Sequence, residues 1–383
     1  MNSDSLFEEI RPLRDHEVKS TIQSLINDEQ FVKSMSSGLK GLMTWEELKQ
    51  NLLKIENVFQ FQAYVIRPLI CQLAEKTVTE LYTINWEKSG KSKSNLIISN
   101  HRDIILDSAF LNISMIKFGM PTTEIAIGDN LLIYQWIRDV VRLNKSFIVK
   151  RGVSVRQMLE TSKQLSDYIH NTITENSQSI WLAQREGRAK DSNDRTQTSL
   201  LKMLSLHDSA HLKETLSELN ILPLALSYEL DPCDFLKAKE FQLKRDNPEY
   251  KKTKADDLEN MMTGLTGYKG RVSLKFGNDI NPKIAELGDI NDKATILETI
   301  AHAIDAEIFS NYVFYPFNYI AYDEMIGTKT CKNKYSDEDV NRFNKYMDTQ
   351  LAKIDIPNKD DKFLRERMVE MYGNPVRNFL ELK

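Results

Sequence analysis

The stretch SNLIISNHRDIILDSAFLNISMIKF, residues 94–118, is where the fold becomes legible. Its first part, SNLIIS (94–99), is a short apolar run and reads as a strand. Its last part, ILDSAFLNISMIKF (105–118), is long enough for a helix. Between them lies a polar turn that puts Asn100, His101, Arg102 and Asp103 in a row, with Asp107 inside the apolar run that follows. A strand that passes through a turn into a helix is the repeating unit of a parallel sheet, and such sheets bind ligands beyond the carboxyl ends of their strands.

The same alternation continues outward. Strands are predicted over 123–127, 146–150, 179–183, 221–228 and 270–277, and helices over 131–143, 155–173 and 293–309. The expected fold class is therefore α/β, with a largely parallel central sheet flanked by helices. Residues 1–80 read as an N-terminal helical region. Val18, Ile22, Leu25 and Ile26 share one helical face, Thr44 and Glu47 have the spacing of a capping box, and Pro68 is expected to kink or end its helix. The α/β domain is placed at 81–310. Within it, the mixed-charge stretch 231–270 reads as an insertion with no clear core stripe. Residues 311–383 read as a C-terminal helical extension. No repeat or low-complexity segment interrupts the chain.

Composition narrows the function. The 383 residues carry 51 basic and 55 acidic side chains, net −4, a balance that argues against a nucleic-acid partner. Cys71, Cys233 and Cys331 are widely spaced and fit neither a disulfide framework nor a metal site. His207 and His211 lack a nearby third ligand, so no metal is expected. The polar, acidic N-terminus does not resemble a signal peptide, and no apolar run approaches the ~20 residues needed to span a bilayer. A lipid substrate would have to be met at a membrane surface.

His-Arg-Asp also occurs in protein kinases, but the glycine-rich loop and Asp-Phe-Gly that accompany it there are missing from this sequence. A histidine is suited to take a proton from an attacking alcohol, and a carboxylate on its far nitrogen fixes the tautomer and stabilises the imidazolium. Asp107 is the expected partner of His101, with Asp103 as the alternative partner or a helix cap. Arg151, Arg188 and Lys190 are candidates for holding an anionic acceptor, and Glu186 for bracing those cations. By strand alternation, at most one of Lys150 and Arg151 should face the site.

Four blocks in order carry a resemblance to the glycerol-3-phosphate / 1-acylglycerol-3-phosphate acyltransferase superfamily over roughly residues 94–280. They are Asn100-His101 with its following aspartate, FIVKRG ending at Arg151-Gly152, REGRAKD with Glu186-Gly187-Arg188, and ILPLALSYE with Pro223. In that superfamily the aspartate lies five positions after the histidine; here Asp107 lies six after His101.

The resemblance implies direct transfer of a fatty acyl group from an acyl thioester to the hydroxyl of a glycerophosphate or lysophospholipid, in membrane lipid synthesis. His101 and Asp107 would be catalytic, and Arg151, Glu186, Gly187, Arg188 and Lys190 would bind substrate. Acyl-CoA or acyl-carrier protein would be the co-substrate, with no further cofactor. The protein would be cytoplasmic and peripheral on the inner membrane face, with the lysine-bearing stretch 237–254 as its candidate docking surface. Two other readings remain open: an acyltransferase of the same fold acting on a non-phosphate lyso-lipid such as a lyso-aminolipid, and a non-catalytic lipid- or carrier-protein-binding module.

Overall fold

The computed structural model describes residues 6–39, 41–90, 93–152 and 154–382; residues 1–5 of the polar N-terminal stretch lie outside it. A seven-stranded sheet forms the centre. Its strands are β1 (Val78–Ile84), β2 (Leu96–Ser99), β3 (Glu124–Gly128), β4 (Ser146–Val149), β5 (Ile180–Ala183), β6 (Leu222–Tyr228) and β7 (Gly270–Phe276). They lie in the order β1-β7-β6-β2-β5-β3-β4. The pairing is parallel everywhere except between β6 and β7. The carboxyl ends of β2, β3, β4, β5 and β6 therefore share one edge.

Helices cover both faces, which is why the strands read as continuous apolar runs. Along β2, Leu96 and Ile98 enter one core layer with Ile180 and Leu182, while Ile97 enters the opposite layer with Trp181, Leu222 and Leu224. The second layer is closed by α6 (Leu106–Lys117), which buries Leu106, Phe110 and Leu111. The first is closed by α8 (Val155–Thr174), α9 (Thr198–Leu204), α10 (Leu212–Glu218), α13 (Asn281–Ala285) and α14 (Lys293–Ser310).

Ahead of the sheet, α1 (Asp15–Asn27), α2 (Glu29–Gly38) and α3 (Trp45–Leu52) make a separate apolar cluster. That cluster also takes in Leu143 and Trp136 of α7 (Gln135–Leu143). The capping box forms as read: Thr44 Oγ1 accepts from Glu47 N at 3.2 Å, and Thr44 N donates to Glu47 Oε2 at 2.8 Å. A short helix, α4 (Val58–Phe61), passes through a π-turn (Gln62–Ile66) into α5 (Arg67–Thr77), which carries Pro68 in its first turn. Proline without an N–H fits there, and the irregular turn sits immediately before it.

The chain departs from the sequence reading in two places. β1 begins at Val78, inside the region read as helical; its partner is the distant β7, so no local periodicity announced it. Residues 231–270, read as an insertion with no clear core stripe, are largely helical. They hold α11 (Asp234–Asp246) and α12 (Lys254–Thr266). The core stripe of α11 was hidden because its buried face mixes Leu236 and Ala238 with Lys237, Glu240 and Gln242. α11 packs with α15 (Pro316–Ile326), α16 (Asp337–Leu351) and α17 (Asp361–Leu380) in the C-terminal cluster.

Candidate active site

The turn after β2 is built by side chains that act as backbone partners. The Asn100 amide donates to Leu226 O at 2.9 Å and accepts from Leu226 N at 2.8 Å, so it prolongs the β2–β6 ladder where the backbone turns away. His101 follows. Its Nδ1 lies 2.7 Å from Asp107 Oδ2, and its ring stands edge-on to Trp181 with centroids 5.8 Å apart. A carboxylate can only accept, so Nδ1 carries the proton and Nε2 is left as the basic nitrogen.

Asp107 is 1% exposed and its charge is matched by donors. Oδ2 also accepts from the backbone N–H groups of Arg102 at 2.6 Å and Asp103 at 3.1 Å, and Oδ1 accepts from Tyr228 Oη at 2.9 Å. Asp103 instead caps the helix. Its Oδ1 takes the free N–H groups of Ile105 at 2.9 Å and Leu106 at 2.8 Å, where α6 begins. Burial, reinforced by the neighbouring Asp107, pushes the Asp103 carboxyl above its usual range. Gly264 of α12 lies directly on it: a Cβ there would stand 2.2 Å from Asp103 Oδ2.

The turn folds Arg102 inward. The guanidinium meets Asp194 at 2.7 Å, and Tyr312 Oη donates to the same carboxylate at 2.6 Å. Both ion-pair partners are buried. Arg102 thus ties the His101 turn to the loop after β5.

His101 opens on a cavity of about 800 Å³. Its walls are mostly apolar, with Ile104 and Ile105 from the turn, Ile137 and Val140 from α7, and Met158 and Leu165 from α8. Lys150, Arg151, Gly152, Arg185, Glu186 and Gly187 also line it. Lys150 and Arg151 both reach the cavity because β4 ends at Val149 and strand alternation ends with it. Arg151 passes over Gly128, where a Cβ would come within 2.7 Å of its Nε, and its Nη1 reaches Glu186 at 3.3 Å. Its backbone N–H is held by Asp129 at 3.1 Å. Glu186 therefore braces a cation. Gly187 adopts φ +67°, which turns the loop back toward α9.

Two of the cations named from sequence lie outside this lining. Arg188 Nη2 donates to Asn260 Oδ1 of α12 at 3.3 Å. Lys190 is paired with Glu240 of α11, and burial lowers its pKa. A cation not named from sequence is Arg185, which lines the cavity with Nε buried and without a hydrogen-bond partner. It stands at the head of REGRAKD, one residue before the Glu-Gly pair. Tyr228 was likewise visible only as the last residue of an apolar strand. Tyr228 had no local signal, because its partner, Asp107, lies far away in the chain.

No family model matches this sequence, and no curated protein matches it. Among solved structures, the chain is similar to "1-acyl-sn-glycerophosphate (LPA) acyltransferase, PlsC, from Thermotoga maritima" at 11% identity. The likeness covers 75% of this chain and 93% of that one with a TM-score of 0.33, too distant to assign a family.

Proposed function

We propose that the protein is an O-acyltransferase that moves a fatty acyl group from an acyl thioester, acyl-CoA or acyl-carrier protein, to the hydroxyl of a glycerophosphate or lysophospholipid. The observation that carries this reading is the His101–Asp107 pair opening on an apolar cavity edged by Arg151 and Arg185. The acceptor hydroxyl gives its proton to His101 Nε2 as its oxygen attacks the thioester carbonyl. The tetrahedral adduct then collapses, the C–S bond breaks, and the leaving thiolate takes the proton back from the imidazolium. Asp107 stabilises that imidazolium throughout. The apolar walls suit an acyl chain, and the two guanidiniums suit an anionic headgroup.

Free-thiol release from acyl-CoA or acyl-carrier protein, measured over glycerol 3-phosphate, lysophosphatidate, neutral lysophospholipids and a lyso-aminolipid, tests the reading. Thiol release that depends on a phosphate-bearing acceptor supports it; release with none of them overturns it. Arg185→Ala is expected to raise the KM of an anionic acceptor by about tenfold or more, as loss of a charge-assisted contact does, while the donor KM holds. An unchanged acceptor KM would remove Arg185 from the acceptor subsite.

This reading makes the protein peripheral on the cytoplasmic membrane face. No helix among the described residues is long and apolar enough to cross a membrane. In the stretch 237–254, Lys237 pairs with Asp231 and both Lys244 and Lys252 lie against Glu240, so the exposed Lys251 and Lys254 are its charges best placed to meet anionic headgroups. A better support is the set of exposed apolar side chains next to the cavity lining: Met158 and Leu159 on α8, Leu258 and Met262 on α12. Flotation with phosphatidylglycerol/phosphatidylcholine vesicles is expected to persist at high salt and to be lost in Leu159→Glu/Met262→Glu. The docking claim fails if the protein does not float at low salt, or if the double variant floats like the parent.

A further inference from the structure

We propose that Tyr228 is a positioning residue that holds the Asp107 carboxylate from the side opposite His101, completing a His101–Asp107–Tyr228 relay. The inference rests on the acyltransferase reading for its catalytic consequence, though not for the relay itself. Asp107 Oδ2 is saturated: it receives His101 and two backbone N–H groups. Oδ1 receives Tyr228 Oη, its one donor among the described residues. A carboxylate gripped at a single oxygen can pivot about it, whereas a donor on each oxygen fixes its plane, and with it the direction in which the His101 ring is held.

Tyr228 is itself held in place. It ends β6, two residues beyond Leu226, the residue that Asn100 clamps. Its ring tilts against Phe110 of α6 with centroids 6.3 Å apart. Burial, with Asp107 adding to it, keeps the phenol well above the usual tyrosine range, so it remains a donor throughout the working pH range. The other charged groups around the relay include Asp103 on the same turn, Arg102 with Asp194, Asp231 beyond β6, Arg188, and the buried Lys269, which interacts with Asp103 and Asp231.

Removing the hydroxyl concentrates charge on the carboxylate, which then holds the imidazolium more tightly. The protonated ring is favoured, and the acid limb of the pH–rate profile moves to higher pH. For Tyr228→Phe the expected results are a kcat lower by about tenfold, an acceptor KM within about twofold of the parent, and a limb raised by about half a pH unit. Tyr335→Phe removes a comparable tyrosine–aspartate bond, to Asp323, away from the site and is expected to leave the profile in place. Should Tyr228→Phe fail to fold, 3,5-difluorotyrosine at position 228 keeps the ring and strengthens the donor; the limb should then move to lower pH.

The same shift is read without any substrate by NMR titration of the His101 ring, assigned among the six histidines by a His101→Ala spectrum. If the parent protein transfers no acyl group, the function reading falls and this titration alone judges the relay. A folded Tyr228→Phe whose kcat, limb and ring titration all match the parent overturns the proposal.

Discussion

His101→Ala is expected to lose acyl transfer by about 10²–10⁴-fold while keeping its fold, the usual range for a positioned general base. The fold should survive because the histidine is one of several donors to Asp107: Arg102 N, Asp103 N and Tyr228 Oη remain in place. The buried carboxylate is therefore not stranded. Asp107→Asn should behave differently from the aspartate-to-asparagine change in a serine protease triad. Two backbone N–H groups point at Oδ2, so the asparagine must present its carbonyl oxygen there and turn its NH₂ toward Tyr228. The His101 ring keeps its tautomer and loses only the charge that stabilises its protonated form. A charge-assisted bond exceeds a neutral one by about a factor of two, so the loss should be about 10–10²-fold, milder than that of His101→Ala. Thiol release from acyl-CoA, with circular dichroism melts as the control for folding, checks both. A folded His101→Ala with near-normal turnover would end the general-base assignment.

Arg102→Met is expected to destabilise the protein by about 3–5 kcal/mol, the cost of leaving one member of a buried ion pair without the other. Asp194 is 1% exposed, and the variant leaves its carboxylate with Tyr312 Oη as the nearest compensation. Arg102→Met/Asp194→Leu should recover much of the loss, since an apolar pair of similar volume carries no stranded charge. Denaturant titration of the two variants against the parent distinguishes these cases. If Arg102→Met costs less than about 1 kcal/mol, Arg102 does not secure the turn.

The central sheet was legible because its strands are short apolar runs separated by helices, and every strand from β2 onward lies within a residue or two of its predicted place. β1 was missed because Val78–Ile84 has one fully polar position pair and a partner nearly 200 residues away in sequence, between Leu81 and Val272 for example. At the site, the proximity of His101 and Asp107 could be reasoned from the turn that precedes α6. The cations could not be sorted the same way. Whether an arginine in REGRAKD faces the cavity or a neighbouring helix depends on the positive φ of Gly187 within the motif and on where α11 and α12 pass, and the path of those helices is not encoded near the motif. Buried Arg102 had been visible only as part of a misleading His-Arg-Asp.

The Asn100 amide has a kinetic consequence. A loop fastened by two hydrogen bonds to β6, a strand in the middle of the sheet, must break both before it can move away. Local fluctuations that fray loop tips stop short of such elements. The turn that carries His101 is thus expected to open less often than the loop tips. Hydrogen exchange at Leu226 should therefore be slow in the parent and faster in Asn100→Ala, which removes the acceptor of its N–H and frees the His101 turn from β6.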